Sequence, residues 1–167
     1  MSTRHKAKAA TAARSGQFVG TIPDVSRTPH GIDCVSWNVL GQVYSPKEVT
    51  EERFTWHALF PEETFVPPHT HADQDEYLMP LDGDLDVVIG GKHSVVRRGE
   101  VKHLPRGVVH SFFNNTGKPV SALFWAEPAG QLVALYRKLH NLANPSRATS
   151  IAPDFGVVFD PPMSSAT

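Results

Sequence analysis

From Asp33 to Glu127 short apolar runs alternate with turn signals. Segments rich in β-branched and aromatic residues span 34–43, 53–60, 64–67, 76–81, 85–89, 94–96, 101–104, 110–114 and 120–127. Such side chains suit a pleated, half-buried surface, and their short, even spacing predicts strands. Asp82-Gly83 reads as a hairpin turn, because glycine reaches positive φ at little cost, and Gly90-Gly91 reads as another. No helical segment interrupts the series. The rhythm predicts an antiparallel sandwich or barrel and not a parallel sheet with crossover helices.

After Pro128-Ala129-Gly130 the period changes. Leu132, Leu135, Tyr136, Leu139 and Leu142 share one face of a helix, Arg137, Lys138 and Asn141 take the other, and Pro145 ends it. This amphipathic helix is expected to lie as a lid on the outside of the sheet. The stretch from Asp154 to Phe159 is apolar enough to dock, with a strand edge as one place for it. The expected division is a flexible basic arm at 1–20, a single β-barrel domain with its C-terminal helix at 21–145, and a docked or flexible tail at 146–167.

Composition narrows the class. A chain of 167 residues with 40% apolar and 20% charged residues has the makings of one ordinary globular domain. Its longest apolar run, Val120–Ala126, is far too short for a membrane-spanning helix. Arg4, Lys6, Lys8 and Arg14 concentrate positive charge at the start, leaving 12 basic against 17 acidic residues in the remainder. That balance gives no support for a nucleic-acid surface. No apolar stretch follows Arg14, so the start reads as a solvated terminus and not an export signal. With Cys34 as the sole cysteine there is no internal disulfide, and the expected compartment is the cytoplasm. Cys34 itself is expected to be a small buried residue.

Nine histidines are many for this length, and three of them carry a pattern. In an extended strand alternate side chains share a face, so His69 and His71 present two imidazoles in one direction after the stiff Pro67-Pro68. Glu76 stands at an odd offset from them, so the polar stretch 72–75 must bend for its carboxylate to rejoin the histidines. Some thirty residues on, Pro105-Arg106-Gly107 forms a tight turn that launches a strand beginning with His110. Two hairpins at this separation can place inward residues side by side in a small barrel. His69, His71, Glu76 and His110 then make a coordination set for one divalent transition metal: iron, manganese, nickel, copper, cobalt or zinc. Three buried imidazoles beside a carboxylate would be costly without a cation.

The spacing His69-x-His71-x4-Glu76-x6-Gly83, followed by Gly99-x5-Pro105-x-Gly107-x2-His110-x3-Asn114, is similar to the two signature motifs of the cupin superfamily. The first motif departs at its opening glycine, where Glu63 stands and shapes a turn. The resemblance covers roughly residues 35–128 and implies a double-stranded β-helix, or jelly-roll, barrel. Beyond this core the chain resembles bacterial quercetin-dioxygenase-like monocupins, through Val39-Leu40-Gly41 on an early strand, Pro67-Pro68-His69, Asp75-Glu76-Tyr77, Leu104-Pro105-Arg106-Gly107 and the Pro128-Ala129-Gly130 exit into a helix. That likeness implies an oxygenase acting on a small aromatic or enolic compound, with Glu76 also accepting a substrate proton. A metal-dependent isomerase or lyase, or a binding cupin without turnover, are the alternatives.

Strand parity nominates Phe65, Leu78 and Phe112 as pocket residues beside the metal. Trp37, Phe54, Trp56, Phe124 and Trp125 are not all expected in the core. Tyr77 should point away from the site, and Gln74 and Asp75, near the metal by sequence, read as solvated loop ahead of the alternative that they brace the ligands from behind. Arg106 is the single candidate for holding a phosphate. Exposed sheet edges seek partners, so a homodimer is expected.

Overall fold

The computed structural model describes residues 26–27 and 31–160. The arm expected at 1–20 and the last residues of the tail, 161–167, lie outside them.

Among the described residues there are twelve strands: β1 (Ser26–Arg27), β2 (Val35–Val39), β3 (Gln42–Val49), β4 (Phe54–Phe60), β5 (Phe65–His71), β6 (Asp75–Pro80), β7 (Leu85–Ile89), β8 (Lys92–Val96), β9 (Lys102–Leu104), β10 (His110–Phe113), β11 (Val120–Glu127) and β12 (Val157–Phe159). They form two sheets, ordered β1-β2-β3-β4-β11-β6-β9 and β12-β5-β10-β7-β8. Every pairing is antiparallel. From β4 to β7 each successive strand crosses to the other sheet, which is jelly-roll topology.

Burial along β4 and β11 alternates strictly, the period-two signature of a sheet with one face in a core. Trp37, Phe54, Trp56, Phe60, Phe112 and Phe124 are all buried between the sheets. Phe54 stacks on Trp56 at a 4.8 Å centroid distance, and Trp56 on Phe124 at 5.5 Å. Full burial of a Phe side chain contributes roughly 1.5–3 kcal/mol, so this aromatic layer is a principal source of stability. Of the five rings not all expected inside, four are core. Trp125 faces out, stacked on Tyr77 at 5.2 Å, which stacks in turn on His103.

Four expectations need correction. The segment 34–43 is not one strand: Leu40 and Gly41 both have positive φ, 52° and 93°, and turn β2 back onto β3. Both angles positive is the geometry of a tight two-residue hairpin, whose twist matches that of the strands. Cys34 is exposed and precedes β2 in left-handed backbone. Asp82-Gly83 is no hairpin, since β6 and β7 lie in different sheets; Gly83 is needed because a Cβ there would stand 2.7 Å from Val120 Cγ2. Gly90-Gly91 does form the turn between β7 and β8, with φ of 53° and 76°.

The fourth correction concerns the helix, α1 (Leu132–Leu139). It buries Leu132, Leu135, Tyr136 and Leu139, as its period predicts, but not against the outside of the sheet. The Tyr136 ring packs on Trp37, Tyr44, Phe54 and Trp56 at 5.0–6.4 Å, which are rings of the barrel interior. The helix closes the barrel mouth, where Leu132, Leu135, Tyr136 and Leu139 line the same cavity as Tyr44 and Trp56. His140 secures its end, accepting the Asn38 N–H at Nδ1. Past a short second helix, α2 (Ala148–Ile151), strand β12 docks on the edge of β5 and sets Phe159 opposite His69. Among the described residues no helix is long and apolar enough to cross a membrane.

Candidate metal centre

His69, His71, Glu76 and His110 come together as the motif spacing predicts. Their donor atoms all lie within 4.8 Å of one another, and each residue is at most 6% exposed. His69 and His71 occupy alternate positions on β5, and His110 opens β10, directly paired with His69. Glu76 enters from β6 of the other sheet, after the bend at 72–74 that its odd offset requires.

The second motif acts through its backbone. Gly107, at φ 72°, donates its N–H to the His71 carbonyl at 2.8 Å, which fastens the turn before β10 to the strand carrying two ligands. Asn114 Nδ2 donates to the carbonyls of Phe60, Pro61 and Lys118 at 2.7–3.1 Å and closes the far end of the same strand. Glu63, standing at the first motif's glycine position, takes φ 59° and makes the left-handed turn before β5. For a residue with a Cβ that conformation costs roughly 1–2 kcal/mol.

All three imidazoles are oriented through Nδ1. His69 donates to the Pro67 carbonyl at 2.8 Å, His110 to the Val108 carbonyl at 3.0 Å and His71 to Gln74 Oε1 at 3.3 Å. This leaves each Nε2 for the centre, the arrangement by which outer partners fix a metal-binding histidine. Gln74 is therefore not solvated loop. It is buried, and its Nε2 donates to the Ala129 carbonyl at 2.8 Å, in space that a side chain at Gly130 would fill. Asp75 does face outward, where it accepts from His103 at 3.0 Å and from Arg106 at 2.6 Å. Arg106, the phosphate candidate, is thereby paired on the outer surface.

The centre's electrostatics are those of a buried carboxylate whose counter-charges are imidazole protons. Burial pushes the Glu76 carboxyl up, but the charge of His71 and hydrogen bonds from His110 and His71 more than offset this and hold it well below the usual range. Burial, helped by the neighbouring His110 and His71, lowers His69 to about 3, so it is a neutral donor at any ordinary pH. For His71 burial opposes protonation, yet the charge of Glu76 and contacts with Glu76 and Gln74 raise it. His110 Nε2 lies 3.0 Å from Glu76 Oε2, a contact that requires a proton between them. His71 Nε2 is 3.2 Å from the same oxygen, an ion-pair contact without the alignment of a full hydrogen bond. A cation among the four donors would answer both features. The donor set, three nitrogens and one oxygen, suits a divalent transition ion.

The pocket residues divide. Phe112 lines the cavity in front of the donors. Leu78 is fully buried in the core but does not reach the cavity wall. Phe65 is a correction: it is 52% exposed and stacks on Phe113 on the outer face. A register shift between β5 and β10 pairs Val66 with Phe112, so Val66 takes the inward place that simple parity gave to Phe65. Tyr44, Tyr136 and Phe159, not singled out as site residues from the sequence, also line the cavity. Tyr44 follows Gln42 at strand spacing with both buried, a signal readable only once β2 and β3 are separated.

Residues 56–126 match the cupin domain family Cupin_2. The barrel has the cupin fold. An RmlC-like cupin from Shewanella frigidimarina is 14% identical, over 70% of this chain and 96% of its own, with a TM-score of 0.52. KdgF from Halomonas sp. is 16% identical, over 53% of this chain and 81% of its own, with a TM-score of 0.50. TT1209 from Thermus thermophilus is 17% identical, over 66% of this chain and 96% of its own, also at 0.50. At such identities the likeness is one of fold. No curated protein matches the sequence.

Proposed function

We propose that this cupin is a metal-dependent oxygenase acting on a small enolic compound, as a cytoplasmic homodimer. The observation that carries the reading is the buried group of four donors at the head of a cavity walled by Val66, Phe112, Phe124 and the helix leucines. A divalent transition ion held there supplies Lewis-acid polarisation of a bound oxygen and, where the ion is redox-active, electrons for dioxygen. Four protein ligands would leave a six-coordinate ion room for two further donors, and the wall around them is mostly apolar. Glu76 receives the substrate's hydroxyl proton in this reading, as a carboxylate kept ionised beside the reacting group. The cavity holds about 40 Å³, the space of some three water molecules at roughly 10–15 Å³ each, which favours a compact acyclic substrate over a polycyclic flavonol.

The test is metal analysis of protein purified without chelator, followed by oxygen uptake with a panel of 1,3-diketones, 2-oxo acids and flavonols. The expected result is about one redox-active ion per chain and oxygen consumption with compact members of the panel. Zinc alone, with no oxygen used by iron- or manganese-reconstituted protein, would overturn the oxygenase and favour an isomerase or lyase. For the dimer, light scattering should give twice 18.3 kDa, and a single-chain mass would refute it.

A further inference from the structure

The metal cavity contains polar groups that the fold leaves unused. Trp56 is 1% exposed and lines the cavity, and its indole N–H has no hydrogen-bond partner among the described residues. Tyr44 and Tyr136, 6% and 8% exposed, line the same cavity with no hydrogen bond seen from either hydroxyl to a described residue, and these hydroxyls, unlike the indole nitrogen, are not fully sealed. The three rings form one cluster: Tyr44 to Tyr136 is 5.0 Å between centroids, Tyr136 to Trp56 5.4 Å and Tyr44 to Trp56 6.2 Å. A buried donor left unsatisfied costs about 1–3 kcal/mol, so the Trp56 N–H calls for a reason, and two phenol hydroxyls stand beside it on the same wall.

Phenylalanine at either tyrosine position would keep the packing without the hydroxyl. Gln42, the other neutral polar residue on the wall, has its Nε2 committed to the Phe65 carbonyl at 3.2 Å. No Lys or Arg lines the cavity. The unused groups are therefore neutral donors, which suit a carbonyl or carboxylate oxygen and not a phosphate. Burial and the charge of Glu76 raise both phenols well above their ordinary range, so they stay protonated.

We propose that Tyr44, Tyr136 and Trp56 form an oxygen-binding subsite facing the metal centre, which receives an oxygen of a compact oxo acid or dicarbonyl beyond those an ion takes up. This rests on the reading that a small oxygen-bearing substrate enters the cavity. A site built to hydrogen-bond such an oxygen discriminates strongly against ligands without it, because its donors are then left unpaired again.

The test compares wild type, Y44F and Y136F, each loaded with Co(II), in titrations with pyruvate and with azide followed by visible absorption and calorimetry. Azide reports on the ion alone; pyruvate has an oxygen to spare after chelation. Pyruvate affinity should fall roughly 10–100-fold in each variant, the worth of a hydrogen bond to a charged group. Azide affinity should stay within twofold, and the metal-free variants should melt at or above the wild-type temperature. Equal pyruvate affinity in wild type and both variants, or melting temperatures lowered by several degrees, would overturn the subsite. Wild type that takes up Co(II) and azide but not pyruvate would overturn the substrate reading together with it.

Discussion

Asp75 and Glu76 are adjacent on β6 and each lies 3.0 Å from a histidine nitrogen, yet they face opposite worlds. Asp75 points to the surface, where hydrogen bonds from Arg106 and then His103 pull it down to about 2. A permanent cation and water complete its surroundings. Glu76 points into the barrel, where the groups in reach are imidazoles. An imidazole can lend charge only by keeping a proton, and burial works against that. Equal distances thus conceal unequal surroundings: the outer carboxylate meets a permanent cation, while the inner one is countered by imidazole protons that a metal ion could replace. Buried charges require pairing far more than exposed ones do, and the difference marks the inner group as the functional one.

The largest effect that can break this comparison is loss of an inner donor. His110→Ala should lower metal affinity by more than the roughly 10–100-fold typical of outer partners, taking the bound ion from about one per chain to near none. Equilibrium dialysis measures it, and retained stoichiometric metal would remove His110 from the ligand set. Next comes Gln74→Ala, which frees His71 to turn and should cost about 10–100-fold in affinity with the ion still detectable.

The pH dependence sharpens the contrast. The folded pKa of His71 is raised above 6.5, so in the metal-free protein its proton contributes stability in full below that pH, and this is lost as pH rises through the folded value. An ion competes with that proton, so the gain in melting temperature on adding metal should be larger at pH 8 than at pH 6. A gain that shrinks with rising pH would contradict the assignment. The smallest effect is Asp75→Asn, expected to cost less than about 1 kcal/mol and to leave metal affinity within twofold. Because Asp75 is depressed in the fold, its contribution is present above 3.8 and fades as pH falls towards about 2. Urea melts of the two proteins should converge over that range.

The four candidate donors and the barrel were legible because both rest largely on local rules. Period two puts His69 and His71 on one face, and short strands between turns describe an antiparallel sandwich or barrel, which the likeness to the cupin motifs narrowed to a jelly roll. What was not legible depended on contacts distant in sequence. Phe65 and Val66 exchange faces through a register shift that only pairing with β10 reveals. Gln74 sits in a polar bend that reads as loop until Ala129 and His71 close around it. The periodicity of α1 gave its apolar face but not the barrel mouth it fills, and the docking of β12 against His69 follows from the edge that β5 leaves open.

The most direct test of the account is anomalous diffraction from crystals soaked in Mn(II). A single strong peak about 2.0–2.2 Å from Nε2 of His69, His71 and His110 and from a Glu76 carboxylate oxygen is the predicted result. Crystals saturated with the ion that show no density there, with Glu76 still bridging His71 and His110, would contradict it.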